Sequence, residues 1–210
     1  MTAYAAAERA ALCDLLQELG PDAPTLDEGW VTRDLSAHLV MRDRRPDASI
    51  GILVRPLAGH TVRVQRSFAA RPWDELLGLL RSGPPAWSPV RLPGADELAN
   101  LVEYVVHRED VVRAQPGWSP RVVEPGLDDA LWRRLPGLAH MLYRRSPVGV
   151  DLRRETGQAA RVRKGEPRVT VVGRPLELLL HAFGRTSVAD VSVEGDPETV
   201  RRFSATPLRV

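Results

Sequence analysis

The sequence predicts a mainly α protein, with a four-helix bundle in its first half and a small α+β domain in its second. Up to about residue 114, apolar residues recur at the helical period in four segments separated by Pro- and Gly-containing loops. Beyond the linker-like stretch Gln115-Pro116-Gly117-Trp118-Ser119-Pro120, helical segments instead alternate with short runs of period two. The expected domains are residues 1–117 and 118–210.

The elements follow in order. Residues of about 3 to 19 place Ala7, Leu12, Leu15, Leu16 and Leu19 on one face, and Gly20-Pro21 ends the helix. Thr32 is the expected N-cap of a second helix running to about Arg44, with Asp34 favourable in its first turn and Pro46 as the stop. A third helical region over about 58–82 breaks before Pro72 and resumes with Trp73, Leu76, Leu77 and Leu80. Residues 82–89 (SGPPAWSP) form a loop by composition, and Asp96 opens a fourth helix to about Ala114. In the second half, a helix over about 126–144 precedes strands at 148–152 and 168–172. A helix from Pro175 to Ala182 ends at Gly184, a strand spans 188–193, and Pro197 begins a terminal helix with Val200 and Phe203.

Composition narrows the function classes. Hydrophobic residues at 43% and charged residues at 27% are ordinary for a globular protein with a proper core. The 29 Lys and Arg nearly balance the 27 Asp and Glu, and Lys164 is the one lysine. The arginines are dispersed among acids, which argues against a nucleic-acid partner. No apolar run reaches about 18 residues, so no membrane span is expected. The N-terminal segment lacks the basic and apolar regions of a signal peptide, and the expectation is a cytoplasmic protein. Cys13 is the only cysteine, which excludes an intrachain disulfide, and its helical context makes it a packing residue.

Chemistry concentrates in two segments. In Glu103-Tyr104-Val105-Val106-His107-Arg108-Glu109-Asp110, Glu103 and His107 stand one helical turn apart on the same face. A third ligand from another helix would complete a two-histidine, one-carboxylate metal site with open coordination positions. The helix periodicity leaves burial undecided. Leu98, Leu101, Val102, Val105, Val106 and Val112 share one arc, and Asn100, Glu103, His107 and Asp110 share the opposite one, as on a solvated helix. The other segment holds His38 between Leu35 and Leu39, as a ligand or as a core histidine satisfied by a nearby acceptor. Asp34 and Asp110 each read either as an ordinary helical acid or as the acceptor that orients a metal-bound imidazole. His60, His140 and His181 lack an acid at ligand spacing and are taken as structural.

The segment from Trp30 to Pro46, centred on Asp34-Leu35-Ser36-Ala37-His38-Leu39, resembles the second-helix motif of the mycothiol-dependent maleylpyruvate isomerase family. The Glu103–Asp110 segment resembles that family's fourth-helix motif, and the family belongs to the DinB-like superfamily of metal-binding four-helix bundles. Residues 38–48 (HLVMRDRRPDA) are similar to an actinobacterial metal-binding subgroup of unassigned substrate. Residues 148–210 are similar to the small sterol-carrier-protein-like domain that follows such bundles. The resemblance implies zinc bound by His38, Glu103 and His107, and two histidines with one carboxylate could equally serve iron or another divalent metal. It also implies mycothiol as thiol cosubstrate, attacking a small electrophile in a transferase or isomerase reaction. Arg185 is a candidate to hold the cosubstrate's polar groups, or else a cation at the C-terminal end of its own helix. The competing expectation is a non-catalytic metal- or small-molecule-binding protein. A purely structural zinc site fits poorly, because three ligands do not close a tetrahedron.

Overall fold

The computed structural model describes residues 4–49, 54–92, 94–206 and 208. The chain is mainly helical and divides into two compact units, Met1–Ser119 and Pro120–Val210. Among the described residues no helix is long and apolar enough to cross a membrane.

The first unit is built on α1 (Tyr4–Leu19), α2 (Thr32–Arg44), the short α3 (Pro46–Ser49), α4 (Ala58–Ala69), α5 (Trp73–Ser82) and α6 (Ala95–Val112). The third helical region is two helices, broken at Ala70–Pro72. Arg33 clasps that corner, donating to the carbonyls of Ala69 and Arg71 at 3.0 Å each while its guanidinium lies over Trp73. Helix α1 packs on α5 and α6, and α2 packs on α4 and α5. The core between them is Leu12, Leu16, Leu35, Met41, Leu76 and Leu101, each 0% exposed. Cys13 lies in that core, as its helical context predicted.

Two local expectations are corrected. Val31, not Thr32, occupies the N-cap of α2, and Asp34 accepts the Val31 N–H at 3.2 Å. Thr32 is the first helical residue, and its hydroxyl donates to the Gly20 carbonyl at 2.6 Å, tying α2 back to the end of α1. Pro46 does stop α2, but it also opens α3, a position where its missing N–H costs nothing.

The second unit holds α7 (Pro125–Leu142), β1 (Gly149–Arg154), β2 (Ala159–Arg163), β3 (Arg168–Gly173), α8 (Pro175–Ala182), β4 (Val191–Glu194) and α9 (Pro197–Ser204). The four-stranded mixed sheet has the order β2-β1-β3-β4, with β1 and β3 parallel and the outer pairs antiparallel. Strand alternation sends Val150, Leu152, Val162, Val169 and Val171 to the buried face, where α7, α8 and α9 pack. Asp151, Arg153 and Arg161 take the other face. Strand β2 was missed by the sequence reading, because Ala159-Ala160-Arg161-Val162-Arg163 buries only Val162. The last strand is shorter than expected, Val191–Glu194.

Candidate metal centre

The seam between α2 and α6 carries the polar residues that the α6 sequence places on one arc. Asn100 is 7% exposed, His107 9% and Asp110 0%, whereas Leu98, from the apolar arc, is 76% exposed. The polar face therefore points into the bundle. It can do so because each buried group finds a partner there, as burial demands. Asp43 of α2 accepts from Tyr104 Oη at 2.9 Å and from Asn100 Nδ2 at 3.3 Å. Burial raises the Asp43 carboxyl to about 6, against the opposing hydrogen bond from Tyr104.

One turn along this seam, His38, Glu103 and His107 converge, each offering one donor atom and all three atoms within 4.8 Å of one another. His107 Nε2 and Glu103 Oε2 are 3.5 Å apart, and the rings of His38 and His107 meet edge to face at 5.4 Å. Zinc bonds of about 2.0–2.2 Å separate neighbouring tetrahedral donors by roughly 3.4 Å, so this pair already stands at ligand spacing. Trp30 closes one side, with its ring 5.2 Å from that of His38.

The electrostatics of His38 and Glu103 suit a donor role, while His107 is held among carboxylates. Burial, followed by the neighbouring His107 and Arg42 charges, pulls His38 down to about 3, leaving it the neutral imidazole a metal requires. Burial would raise Glu103, but the hydrogen bond from His107 and the charge of Arg42 outweigh it and hold the carboxyl at about 2. Burial would likewise lower His107, yet the hydrogen bond to Asp110 and the nearby carboxylates of Asp27 and Glu103 raise it well above the ordinary histidine value. The His107 imidazole thus lies among three carboxylates.

Behind the donors, His107 Nδ1 lies 3.0 Å from Asp110 Oδ2 and 3.6 Å from Asp27 Oδ2. A carboxylate on the far ring nitrogen fixes the imidazole orientation and turns Nε2 toward the other donors. Asp110 has the orienting geometry, while Asp34 is spent on the Val31 N–H. Asp27 was missed by the sequence reading. It sits in the α1–α2 loop, which is pinned at Leu26 N–Asp110 O (3.0 Å) and by a β-bridge between Pro24 and Val31. Nothing in its sequence spacing links it to His107. Arg42 was also unassigned, and its guanidinium forms an ion pair with Glu103 Oε2.

The remaining candidates have partners of their own. Arg185, in the second unit, donates from Nη1 to the Phe183 carbonyl at 2.9 Å, just past the end of α8. His60 is exposed and pairs with Asp47 Oδ2 at 3.0 Å, and His140 Nδ1 contacts the Val162 carbonyl at 3.0 Å. His181 is buried, its Nδ1 2.7 Å from the Tyr143 hydroxyl. Compared with protein-family models, with curated proteins and with solved structures, the chain matches none.

Proposed function

We propose that the protein binds one divalent metal ion through His38, Glu103 and His107 and activates there the thiol of a small-molecule cosubstrate for attack on a small electrophile. The observation that carries this reading is the convergence, from two helices, of two imidazoles and a carboxylate within 4.8 Å, with His107 oriented from behind by Asp110. Three protein donors leave coordination open for a ligand, the arrangement of a reactive centre and not of a closed structural one. The resemblance of the two helical motifs to the mycothiol-dependent maleylpyruvate isomerase family supports zinc as the metal and mycothiol as the thiol.

When bound, such a cation supplies the Lewis acidity that draws the pKa of a coordinated thiol or water toward neutrality. The chain's own residues do the rest. Glu103 lends the single negative charge of the donor set, and His38 presents a neutral ring. Asp110 holds His107 in place, and Trp30 presents an apolar ring against His38. The chain offers no sulfur nucleophile of its own among these residues. Cys13 is fully buried and its thiol is pushed up to about 11 by burial, which fits a sulfur nucleophile carried by a cosubstrate.

One observation favours a second reading, a binding protein without turnover. Arg42 on Glu103, and His107 held by carboxylates that raise its pKa, offset part of the negative charge of the cluster without a metal ion. Mycothiol consumption by the zinc-loaded protein, measured against a panel of small electrophiles, separates the two. The enzymatic reading predicts consumption that needs both the metal and His38. Zinc binding with no metal-dependent consumption by any electrophile would leave the binding protein.

A further inference from the structure

We propose that Arg42 is the anion-binding arm of this centre, a counter-ion to Glu103 that becomes a clasp for an anionic oxygen group once a cation is held there. The inference rests on the metal-binding reading above and adds a residue and a ligand chemistry to it.

The argument begins with what each arginine of the run Arg42-Asp43-Arg44-Arg45 touches. Arg44 donates to Ser82 Oγ at 2.6 Å, and Arg45 takes both oxygens of Asp47 at 2.8 and 2.7 Å. Arg42 alone of the three pairs with α6, at the one carboxylate of the donor set. Its neighbour Asp43 is committed to Tyr104 and Asn100. Arg42 therefore stands beside the donors by construction of the α2–α6 seam.

The charges then decide what that side attracts. A dication among two neutral imidazoles and one carboxylate leaves a residual single positive charge, and Arg42 adds another. The compensating acids lie behind His107, where Asp110 is wholly buried. The Arg42 and Glu103 side chains are 23% and 27% exposed, so an anion can reach the guanidinium from solvent. A guanidinium presents five N–H donors in a planar fork, more than one carboxylate can use, and its geometry matches a second carboxylate or similar oxyanion. Sharing Glu103 with a cation weakens the Arg42 pair and frees donors for that second anion. By linkage, an anion there tightens the cation and the cation tightens the anion.

The test uses the full chain loaded with cobalt(II), whose visible absorption reports its ligands. Titration with acetate should give a saturable spectral change that acetamide does not. Arg42→Gln should bind cobalt roughly tenfold more tightly in the absence of anion and acetate roughly tenfold more weakly. Arg42→Lys, which keeps the charge but not the fork, should fall between them. Acetate affinity unchanged in cobalt-loaded Arg42→Gln would overturn the inference while leaving the metal site standing. A wild-type protein that binds no cobalt would overturn both.

Discussion

His107 Nδ1 and Asp110 Oδ2 lie 3.0 Å apart on α6, with Asp110 fully buried and His107 nearly so. Three residues apart, less than one helical turn, these side chains are not free to choose other partners, and the loop carrying Asp27 brings Oδ2 within 3.6 Å of the same nitrogen. Removing the carboxylate charge at this position should loosen the donor set without touching a donor. Asp110→Asn is expected to lower zinc affinity about 10- to 100-fold, as measured by competition with a chromophoric chelator. Affinity unchanged within about twofold would mean that Asp110 orients nothing.

The burial of α6, with Leu101, Val105 and Val106 covered along with the polar arc, gives a packing prediction. Leu101 is 0% exposed and Leu98 76%, although a helical wheel places them on one apolar arc. Leu101→Ala should destabilise the protein by about 2–5 kcal/mol, and Leu98→Ala by under about 0.5 kcal/mol. Denaturant unfolding of both variants checks the pair, and equal losses would contradict this orientation of α6.

Glu109 and Arg113 form a pair at 2.7 Å with side chains 1% and 0% exposed, and Arg113 also lies 5.0 Å over the Trp118 ring. Removing one side of a buried pair takes the main compensating charge from the other, which costs more than the pair itself is worth. Arg113→Met is expected to cost about 3–5 kcal/mol by denaturant unfolding, and the double change with Glu109→Met should recover part of it. A single variant as stable as wild type would show that the pair is not closed to water.

Helix positions were legible because four apolar stripes and their Gly and Pro stops are local signals, and α1, α2, α7, α8 and α9 lie near their expected bounds. What sequence could not supply was partnership across the chain. The buried polar arc of α6 depends on Asp43 being sixty residues upstream, and Asp27 reaches His107 through a loop with no periodicity. Strand β2 stayed hidden because Ala and Arg give no apolar alternation, and its pairing with β1 is what makes it a strand. His38, Glu103 and His107 could be named individually from sequence, and the fold is what sets their donor atoms together.

His181 supplies a pH dependence separate from the metal centre. Burial lowers it to about 4 while its ordinary value is 6.5, and its Nδ1 lies 2.7 Å from the Tyr143 hydroxyl, which burial keeps protonated. Because the folded state resists protonation, the neutral ring's full contribution is present above about pH 6.5 and is lost as pH falls toward 4. That loss is on the order of 3 kcal/mol. The stability advantage of wild type over His181→Gln, by urea unfolding at pH 7.5, 6 and 5, should shrink with falling pH. A constant difference would mean that His181 is protonated as readily in the folded chain as in the unfolded one.

The central claim is tested most directly by the metal content of protein dialysed against zinc and then freed of loose metal, read by inductively coupled plasma mass spectrometry. Wild type is expected to hold about one equivalent, and His38→Ala, Glu103→Ala and His107→Ala, each checked for folding by circular dichroism, should hold almost none. Background zinc in folded wild type, or a full equivalent retained by all three variants, would contradict a metal centre built from these residues.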